Sequence, residues 1–384
     1  RSEEVKKAGF YPYFREIQDS EGPVVTMEGK KVVMAGSNNY LGLTTHPHVK
    51  EAAIKAIEKY GTSCSGSRFL TGTIDLHVEM EAKIAKFMGK ESALLFSTGF
   101  QAGQGVISPL VGRGEHILSD RDNHASIVAG NMLAASMNID VIRYKHNDME
   151  DLEKRLSKLP LDDAKLIATD GVFSTFGSIV SLDEITALGK KYNANVMVDD
   201  AHAFGVIGPG GRGTGHHFGV ENDVDLILCT FSKTLASIGG FVVGEEKVIN
   251  YLKHKSPALI FSASPTPASV ASAIAALEVL QANPDLPLKV CANTEFVRQG
   301  LKDSGFQVID GETAIVPVIG DDEKTFKIWR MLYDEGVFVN AFIAPATPPG
   351  MQMLRTSYMA SHEPEHLEYI VATFKKIGKN LGLI

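Results

Sequence analysis

A short apolar run that leads to a lysine lies in the stretch DLILCTFSKTLASIGGF, residues 225–241. Its first part, Leu226 to Cys229, is continuous and apolar, which predicts a buried strand. Lysine is rarely buried without a partner. The side chain of Lys233, just past that strand, is therefore paired with a carboxylate, exposed to solvent or used in chemistry. The stretch alone leaves these three interpretations open.

The bulk composition is that of a globular protein with one large and one smaller domain, since 44% of the 384 residues are hydrophobic and 22% charged. The net charge of −8 argues against nucleic acid as a partner, because no basic stripe is available to neutralise phosphates. Cys64, Cys229 and Cys291 have no CxxC spacing, which fits a reducing compartment and excludes a cysteine-based zinc site. No apolar run reaches the roughly 18 residues that span a bilayer, so no transmembrane segment is predicted.

Short apolar runs alternate with helical patterns from about residue 92 onward. This alternation predicts βαβ units and a mostly parallel sheet, hence an α/β fold. A further strand followed by a helix is predicted from residue 239 to 260. The other predicted strands are SALLFSTG (92–99), EHILSD (115–120), DVIRY (140–144), KLIATDGVF (165–173), NVMVDDAH (195–202) and DLILCTF (225–231).

The two ends of the chain have a different pattern of predicted helices and strands from the middle. An amphipathic opening, Ser2 to Ile17, precedes two short apolar runs separated by the turn signal Glu28-Gly29, which predicts a hairpin. A long helix is predicted over 268–282, and a Pro-rich segment and an α+β region follow. We expect three parts: an N-terminal segment packing with the small domain (1–44), a large α/β domain (45–275) and a small α+β domain (276–384).

Reactive or small polar residues follow four of the predicted strands. They are Ser97-Thr98-Gly99, the segment 120–124, the segment 199–202, and Thr230 with Ser232 and Lys233. Ligands in open α/β sheets bind at the carboxyl ends of the strands. Each group alone has a structural alternative, such as helix capping by Thr98 or a turn at Asp199, but together they predict one ligand site.

The segment GPGGRG, residues 208–213, matches the pattern G-x-G-x-x-G. It is followed by Thr214-Gly215-His216-His217, which does not predict the helix that a dinucleotide site needs, so we interpret it as a flexible loop. The chain has no P-loop motif. Adjacent His216 and His217 point apart on most backbones, and no metal site is expected.

The order and spacing of the strand-end groups match the needs of pyridoxal 5′-phosphate (PLP). Its aldehyde requires a lysine amine for a Schiff base, which Lys233 offers. Its ring nitrogen requires an acidic partner so that the ring can accept electrons, which Asp199, 34 residues earlier, offers. Its phosphate requires N–H groups and hydroxyls, which a helix beginning near Gly99 would present.

The chain also resembles the α-oxoamine synthases, fold-type I PLP enzymes, over nearly its whole length. The resemblance implies a large domain with a mostly parallel, seven-stranded type of sheet, a small α+β C-terminal domain, and a homodimer. The matching stretches are GSNNYLGL (36–43), GTSCSGSRFLTGT (61–73), STGFQAG (97–103), DRDNHASI (120–127), DGVFSTFG (170–177), DDAHAFGVIGPGGRG (199–213), TFSKTLASIGGF (230–241) and LRTSYMASH (354–362).

The resemblance implies a role around the cofactor ring for five residues. Lys233 would hold the cofactor and later shuttle the substrate Cα proton. Asp199 would pair with the ring nitrogen, and His202 with the ring hydroxyl. His124 would stack on the ring face and bind the substrate carboxylate, and Ser174 would lie close to the ring.

A second set of implied roles concerns the cofactor phosphate. Gly99 and Phe100 would present backbone groups near the cofactor. Thr230 and Ser232 would bind the phosphate. Ser262 would reach the phosphate in the partner subunit, so that the two active sites are shared.

The implied substrates are L-serine and a long-chain acyl-CoA, condensed with loss of carbon dioxide. Arg355 would bind the substrate carboxylate with help from Asn38 or Asn39, and Arg68 would line the thioester entrance. Other amino acid and acyl-CoA pairs, a fold-type I aminotransferase or lyase, and a non-catalytic PLP-binding scaffold remain alternatives. The implied location is the bacterial cytoplasm, and contact with the inner membrane surface is left open.

Overall fold

The computed structural model describes residues 2–7, 9–320, 322–344 and 346–384. The chain forms two compact units. The small unit comprises Arg1–Thr45, Ser174–Ser178 and Asp285–Ile384, and the large unit comprises His46–Phe173 and Ile179–Pro284. The sequence places the domain boundary at residue 275, inside a helix, whereas the units separate after that helix has ended.

The strands, in chain order, are β1 Ile17–Glu21, β2 Val24–Met27, β3 Lys30–Met34, β4 Ser92–Phe96, β5 His116–Asp120, β6 Asp140–Tyr144, β7 Lys165–Asp170, β8 Asn195–Asp199, β9 Leu226–Thr230, β10 Gly240–Gly244, β11 Ile315–Ile319, β12 Val337–Phe338, β13 Asn340–Phe342 and β14 Met353–Ser357. All six strands predicted between residues 92 and 231 are present. The strand predicted after residue 239 is present as β10.

The helices, in chain order, are α1 Ser2–Lys7, α2 Pro47–Tyr60, α3 Asp75–Met88, α4 Gly99–Leu110, α5 Ala125–Ser136, α6 Met149–Leu156, α7 Leu182–Tyr192, α8 Thr214–Phe218, α9 Glu246–Lys255, α10 Pro257–Ile260, α11 Pro267–Ala282, α12 Leu286–Asp303, α13 Asp322–Asp334 and α14 Pro364–Asn380. No helix among the described residues is both long and apolar enough to cross a membrane.

The large unit is built on one seven-stranded sheet. Its strand order is β4-β10-β9-β8-β7-β5-β6. Strand β10 runs antiparallel to its neighbours β4 and β9, and the remaining pairs are parallel. The predicted mostly parallel α/β sheet is therefore confirmed.

Two inner strands of this sheet, β7 and β9, are buried along their whole length. Every residue of β7 and of β9 is buried, as expected for parallel strands with helices on both faces. On one face, α4 contributes Val106 and Ile107 to a core that includes Leu228 of β9. Each fully buried side chain of this kind contributes about 1.5–3 kcal/mol, so the strand ends are held rigidly.

The small unit contains two smaller sheets, of order β1-β2-β3-β12 and β11-β14-β13. The predicted hairpin is present between β2 and β3, where Met27 pairs with Lys30. Its two loop residues, Glu28 and Gly29, have φ values of 52° and 78°, which fit a type I′ turn. The core of the unit surrounds fully buried Trp329.

Two expectations about local structure are wrong. The opening of the chain is not one amphipathic element: α1 ends at Lys7, Gly9 has a φ of 74°, and β1 begins at Ile17. The GPGGRG segment is followed by a helix after all, the five-residue α8. Its first residue, Thr214, donates its N–H and its hydroxyl to the buried carboxylate of Asp200, so this helix start is occupied by a side chain of the protein.

Candidate active site

A cavity of about 420 Å³ lies at the carboxyl ends of the strands in the large unit. Each of the four strand-end groups of the sequence contributes lining residues, but the 120–124 group contributes only His124, and Ser97, Asp200 and His202 are not among them. The lining residues are Thr98, Gly99, Phe100, His124, Ser126, Asp199, Ala201, Leu228, Cys229, Thr230, Ser232, Lys233, Ile238 and Gly239. The sheet therefore brings together residues that are up to 141 positions apart, from Thr98 to Gly239.

The start of α4 forms one wall of this cavity. The Thr98 hydroxyl accepts the N–H of Gln101 at 3.1 Å and caps the helix. The N–H groups of Gly99 and Phe100, in the first turn, have no acceptor within the helix. A Cβ at residue 99 would lie 2.5 Å from the Cβ of Thr230, so only glycine allows this close approach. Such a helix start binds anions, phosphate in particular.

Two hydroxyls lie beside this helix start. The Oγ atoms of Thr230 and Ser232 are 2.8 Å apart, and the Thr230 hydroxyl is 3.1 Å from the carbonyl oxygen of Gly239. The loop that carries them joins antiparallel β9 and β10 and is closed by a bond from Phe231 N–H to Gly239 O, 2.9 Å. The wall therefore combines N–H and O–H donors, as a phosphate group requires.

Lys233 lies in the same loop and lines the cavity. Its neighbour Thr234 donates a hydrogen bond from its hydroxyl to the carbonyl oxygen of Phe204, 2.7 Å, in the turn after β8. This bond ties the lysine loop to the turn that carries His202, whose side chain is buried. The lysine is thus held on a fixed backbone at the cavity.

Asp199 ends β8 and lines the cavity, with only 9% of the residue exposed. Its Oδ1 accepts the N–H of Ala201 at 3.0 Å, which holds the carboxylate at the strand end. A buried carboxylate with a single backbone partner is suited to a cationic group of a ligand, such as a protonated ring nitrogen.

His124 caps α5 and also lines the cavity. Its Nδ1 accepts the N–H of Ser126 at 3.2 Å, so a neutral ring carries its proton on Nε2. Burial lowers the pKa of His124; the negative charge of Asp199 opposes this shift, and the positive charge of Lys233 adds to it. The imidazole is therefore neutral near pH 7 and can donate its Nε2 proton to a substrate oxygen.

Arg355 belongs to the small unit, on β14, and is 3% exposed. Its Nε donates to the carbonyl oxygen of Ser174 at 2.6 Å and its Nη1 to Oδ1 of Asn38 at 3.3 Å. It forms no ion pair with a carboxylate of the described residues. Because a buried cation without a counter-ion is costly, this guanidinium is suited to bind an anionic ligand.

The two candidate asparagines differ in their contacts. Asn38 contacts Arg355, whereas Asn39 donates from Nδ2 to the hydroxyl of Thr44 at 2.8 Å. The structure therefore favours Asn38 as the partner of the arginine. The role of either asparagine at the substrate stays a prediction.

Arg68 lies in a buried ion pair within the large unit. Its Nη1 is 2.8 Å from Oε1 of Glu81, and its Nε donates to the hydroxyl of Thr73 at 3.1 Å. Arg68 does not line the cavity around Lys233. Its charge is already balanced by Glu81, so the structure favours a structural role over the expected role at the thioester entrance.

Ser262 lies near the first turn of α4 in its own chain. Its hydroxyl accepts a hydrogen bond from Nε2 of Gln101 at 2.9 Å, and the hydroxyl of Ser97 donates to the carbonyl oxygen of Ala263. Ser262 is not a lining residue of the cavity that contains Lys233. Its expected role at the phosphate of the partner subunit stays a prediction.

The residues of the cavity fit PLP. The space beside Gly99 that a Cβ would fill, here called the glycine cradle, lies next to the Thr230 hydroxyl and is suited to hold the cofactor phosphate. Asp199 matches the ring nitrogen, and Lys233 supplies the amine. No cluster of potential metal ligands is present among the described residues.

Comparisons with known proteins agree with this geometry. The family described as aminotransferase class I and II matches residues 30–374. The chain belongs to this family of fold-type I PLP enzymes, and within it to the α-oxoamine synthases that its motifs resemble. The prediction of the family is confirmed.

Three similar proteins illustrate the relationship. Serine palmitoyltransferase of Sphingobacterium spiritivorum is 50% identical over 378 residues, which cover 98% of this chain and 94% of that protein. An 8-amino-7-oxononanoate synthase of Thermoanaerobacter pseudethanolicus is 41% identical over 384 residues, which cover 100% and 96%. A solved structure of SPT with PLP internal aldimine has a TM-score of 0.97 at 36% identity, with 100% of this chain and 97% of that chain covered. The predictions of fold type and of PLP as cofactor are confirmed.

Sequence reasoning missed one carboxyl group close to this site. Asp170 ends β7 and is paired in register with Asp199 on β8. The signal was present, because Asp170 also follows a buried strand and belongs to the DGVFSTFG stretch. The cofactor contacts predicted from the sequence need only one carboxyl group, that of Asp199, so Asp170 was given no role.

Proposed function

We propose that this chain condenses L-serine with palmitoyl-CoA to give 3-oxosphinganine, CoA and carbon dioxide, the first step of sphingolipid synthesis. The observation that carries the PLP chemistry is the single cavity that unites Lys233, Asp199 and the start of α4. The choice of serine and a palmitoyl group is supported by the relative named serine palmitoyltransferase at 50% identity.

The residues of the large unit would hold the cofactor. The N–H groups of Gly99 and Phe100 and the hydroxyls of Thr230 and Ser232 would bind its phosphate. Asp199 would balance the charge of its protonated ring nitrogen, and His202 would bind its ring hydroxyl. When bound, PLP supplies an aldehyde that binds amines and a ring that accepts the electrons of a broken Cα bond.

The proton transfers would be carried by Lys233. Its amine, released when serine binds, removes the Cα proton of serine and later returns a proton to the product carbon. The nucleophilic Cα then attacks the thioester carbonyl of the acyl-CoA, and CoA leaves as a thiol. Loss of the carboxylate as carbon dioxide follows, because the new β-keto group stabilises the charge that remains.

The substrate carboxylate would be bound by Arg355 with Asn38, and Ser174 would hold the arginine through its carbonyl oxygen. The Nε2 proton of His124 would donate to the same carboxylate while the imidazole stacks on the ring. Fixing this group sets which Cα bond is perpendicular to the ring and therefore which bond breaks.

We also propose a homodimer with shared active sites, located in the bacterial cytoplasm. Large exposed apolar side chains in two adjoining segments support an interface: Phe261, next to Ser262 in the chain, is 85% exposed, and Leu70, in the loop whose Gly66 carbonyl oxygen accepts the Ser264 N–H, is 76% exposed. Cys64, Cys229 and Cys291 form no disulfide among the described residues, which supports a reducing compartment.

The test is incubation of the purified holoenzyme with mixed amino acids and acyl-CoAs of several chain lengths, followed by mass spectrometry of the products. We expect free thiol release and a product with the mass of 3-oxosphinganine when serine and palmitoyl-CoA are both present. A dominant product from another amino acid would instead favour another α-oxoamine synthase activity. Transfer of the amino group without thiol release would indicate an aminotransferase.

A further inference from the structure

Two carboxyl groups lie side by side at the carboxyl edge of the large sheet. Asp170 and Asp199 end neighbouring parallel strands and are register partners, and they are 3% and 9% exposed. Neighbouring strands are about 4.8 Å apart, and side chains in register point to the same face. Two adjacent buried carboxyl groups cannot both be charged at low cost, so their closeness favours the uncharged form of one of them.

Asp170 is connected to His124 through the main chain. Its Oδ2 and Oδ1 lie 3.1 Å and 3.3 Å from the backbone nitrogen of His124, the residue that caps α5. The N–H of Asp170 in turn donates to Oδ1 of Asn123 at 2.9 Å. These reciprocal bonds clamp the segment 123–124 to the end of β7.

The clamp is anchored further inside the sheet. Nδ2 of Asn123 donates to the carbonyl oxygen of Ala168 at 2.8 Å and lies 2.9 Å from the hydroxyl oxygen of Ser119. Nδ2 of Asn131, on α5, lies 2.9 Å from the same hydroxyl oxygen. The position of the His124 ring at the cavity therefore depends on a fully buried polar network.

The surroundings of Asp170 favour its uncharged form. Burial, and next the charge of Asp199, raise the pKa of Asp170 well above its usual range, while the His124 N–H and the charge of Lys233 oppose the shift. The titratable groups facing Asp170 are Asp199 on β8, His124 at α5, Lys233 after β9, Asp120 on β5 and Tyr144 on β6.

We propose that Asp170 is a positioning residue for the condensation: as an uncharged acid it holds the main chain of His124 at the cavity and adds no negative charge beside Asp199. This inference rests on the proposed function for the role of His124. It assigns Asp170 no contact with substrate or cofactor, and its effect passes through His124 and Asp199.

Three variants test the proposal in the PLP-loaded protein. Asp170→Asn keeps an acceptor for the His124 N–H and stays uncharged, so it copies the proposed state. Asp170→Ala removes the acceptor. Asp225→Asn is the matched control, because the Asp225 carboxylate also accepts a backbone N–H, that of Val196 at 2.7 Å, but Asp225 precedes β9 at the opposite edge of the sheet.

The readouts are the pH titration of the visible cofactor band and the serine affinity measured from that band without acyl-CoA. Asp170→Asn and the control should keep the pH midpoint of the parent protein and its serine affinity within about twofold. Asp170→Ala should retain the cofactor but bind serine about tenfold more weakly, because one hydrogen bond that fixes His124 is lost.

Two results would overturn the proposal. An Asp170→Asn protein with a midpoint shifted by about one pH unit or more would mean that Asp170 is charged, and parent-like serine affinity in Asp170→Ala would remove the positioning role. If Asp170→Ala does not fold, Asp170→Ser replaces it, since its shorter side chain cannot reach the His124 N–H. A parent protein that fails to consume palmitoyl-CoA disproves the substrate assignment but leaves these serine titrations valid.

Discussion

Replacing Arg355 by lysine should weaken serine binding about tenfold or more while leaving the cofactor almost unaffected. The guanidinium of Arg355 is buried and forms no ion pair with a carboxylate of the described residues, and it donates to two neutral acceptors, the Ser174 carbonyl oxygen and Asn38 Oδ1, so we propose that its charge is used by the substrate carboxylate. A lysine ammonium keeps the charge but cannot bind a carboxylate through two parallel N–H groups.

The magnitude follows from the lost contacts. A hydrogen bond to a charged group contributes about 1.5–3 kcal/mol. A factor of ten in affinity corresponds to about 1.4 kcal/mol. The loss of one of the two N–H bonds to the carboxylate therefore corresponds to a serine affinity about 10- to 150-fold weaker. The lysine would also lose the bond to Ser174 O at 2.6 Å, which fixes the orientation of the guanidinium.

The assay is a titration of the PLP-loaded protein with serine, followed by the change in the visible absorbance band. Arg330→Lys is the matched control, since Arg330 pairs with Asp334 on the surface of α13 and should leave serine affinity within about twofold. Unaltered serine affinity in Arg355→Lys, with the control also unaltered, would refute the carboxylate role of Arg355.

Three further predictions concern the cavity and the dimer. Gly99→Ala should weaken PLP binding at least about tenfold, because the new Cβ would lie 2.5 Å from the Cβ of Thr230. Equilibrium dialysis measures the PLP affinity, and an unchanged affinity would contradict a phosphate site at the glycine cradle. His124→Phe should keep the cofactor yet increase transamination of serine relative to condensation; product analysis that finds only normal condensation would make His124 structural. Mixing Lys233→Ala with Ser262→Glu protein should restore about a quarter of normal activity, and no recovery in proven mixed dimers contradicts shared sites.

The strands of the large unit could be predicted because each is a short apolar run bounded by turn residues, and this information is local. The direction of β10 could not be read from its own residues. It pairs with β4, almost 150 positions earlier, and with β9, so its antiparallel orientation depends on long-range hydrogen bonding. The helix α8 was missed for a similar reason, since the carboxylate of Asp200 that binds its first N–H lies 14 residues away.

The candidate site also has features with a local sequence signal and features that depend on long-range contacts. Lys233, Asp199 and the start of α4 were predictable because the chemistry of PLP requires those residue types at strand ends. The partner of Arg68 was not predictable, because Glu81 is brought to it by the fold, and the resulting ion pair changes the interpretation of the arginine. The network behind His124 was missed because Ser119 in β5, Asn123 after it and Asn131 on α5 carry no specific sequence signal.

The central claim, that Lys233 covalently holds PLP in the cavity at the strand ends, is tested most directly by borohydride reduction of the holoenzyme and mass spectrometry of its peptides. The yellow protein should lose its visible absorbance, and the cofactor mass should be found on one peptide, at Lys233. The same treatment of Lys233→Ala should label no peptide. A cofactor mass on a peptide that lacks residue 233 would contradict the account.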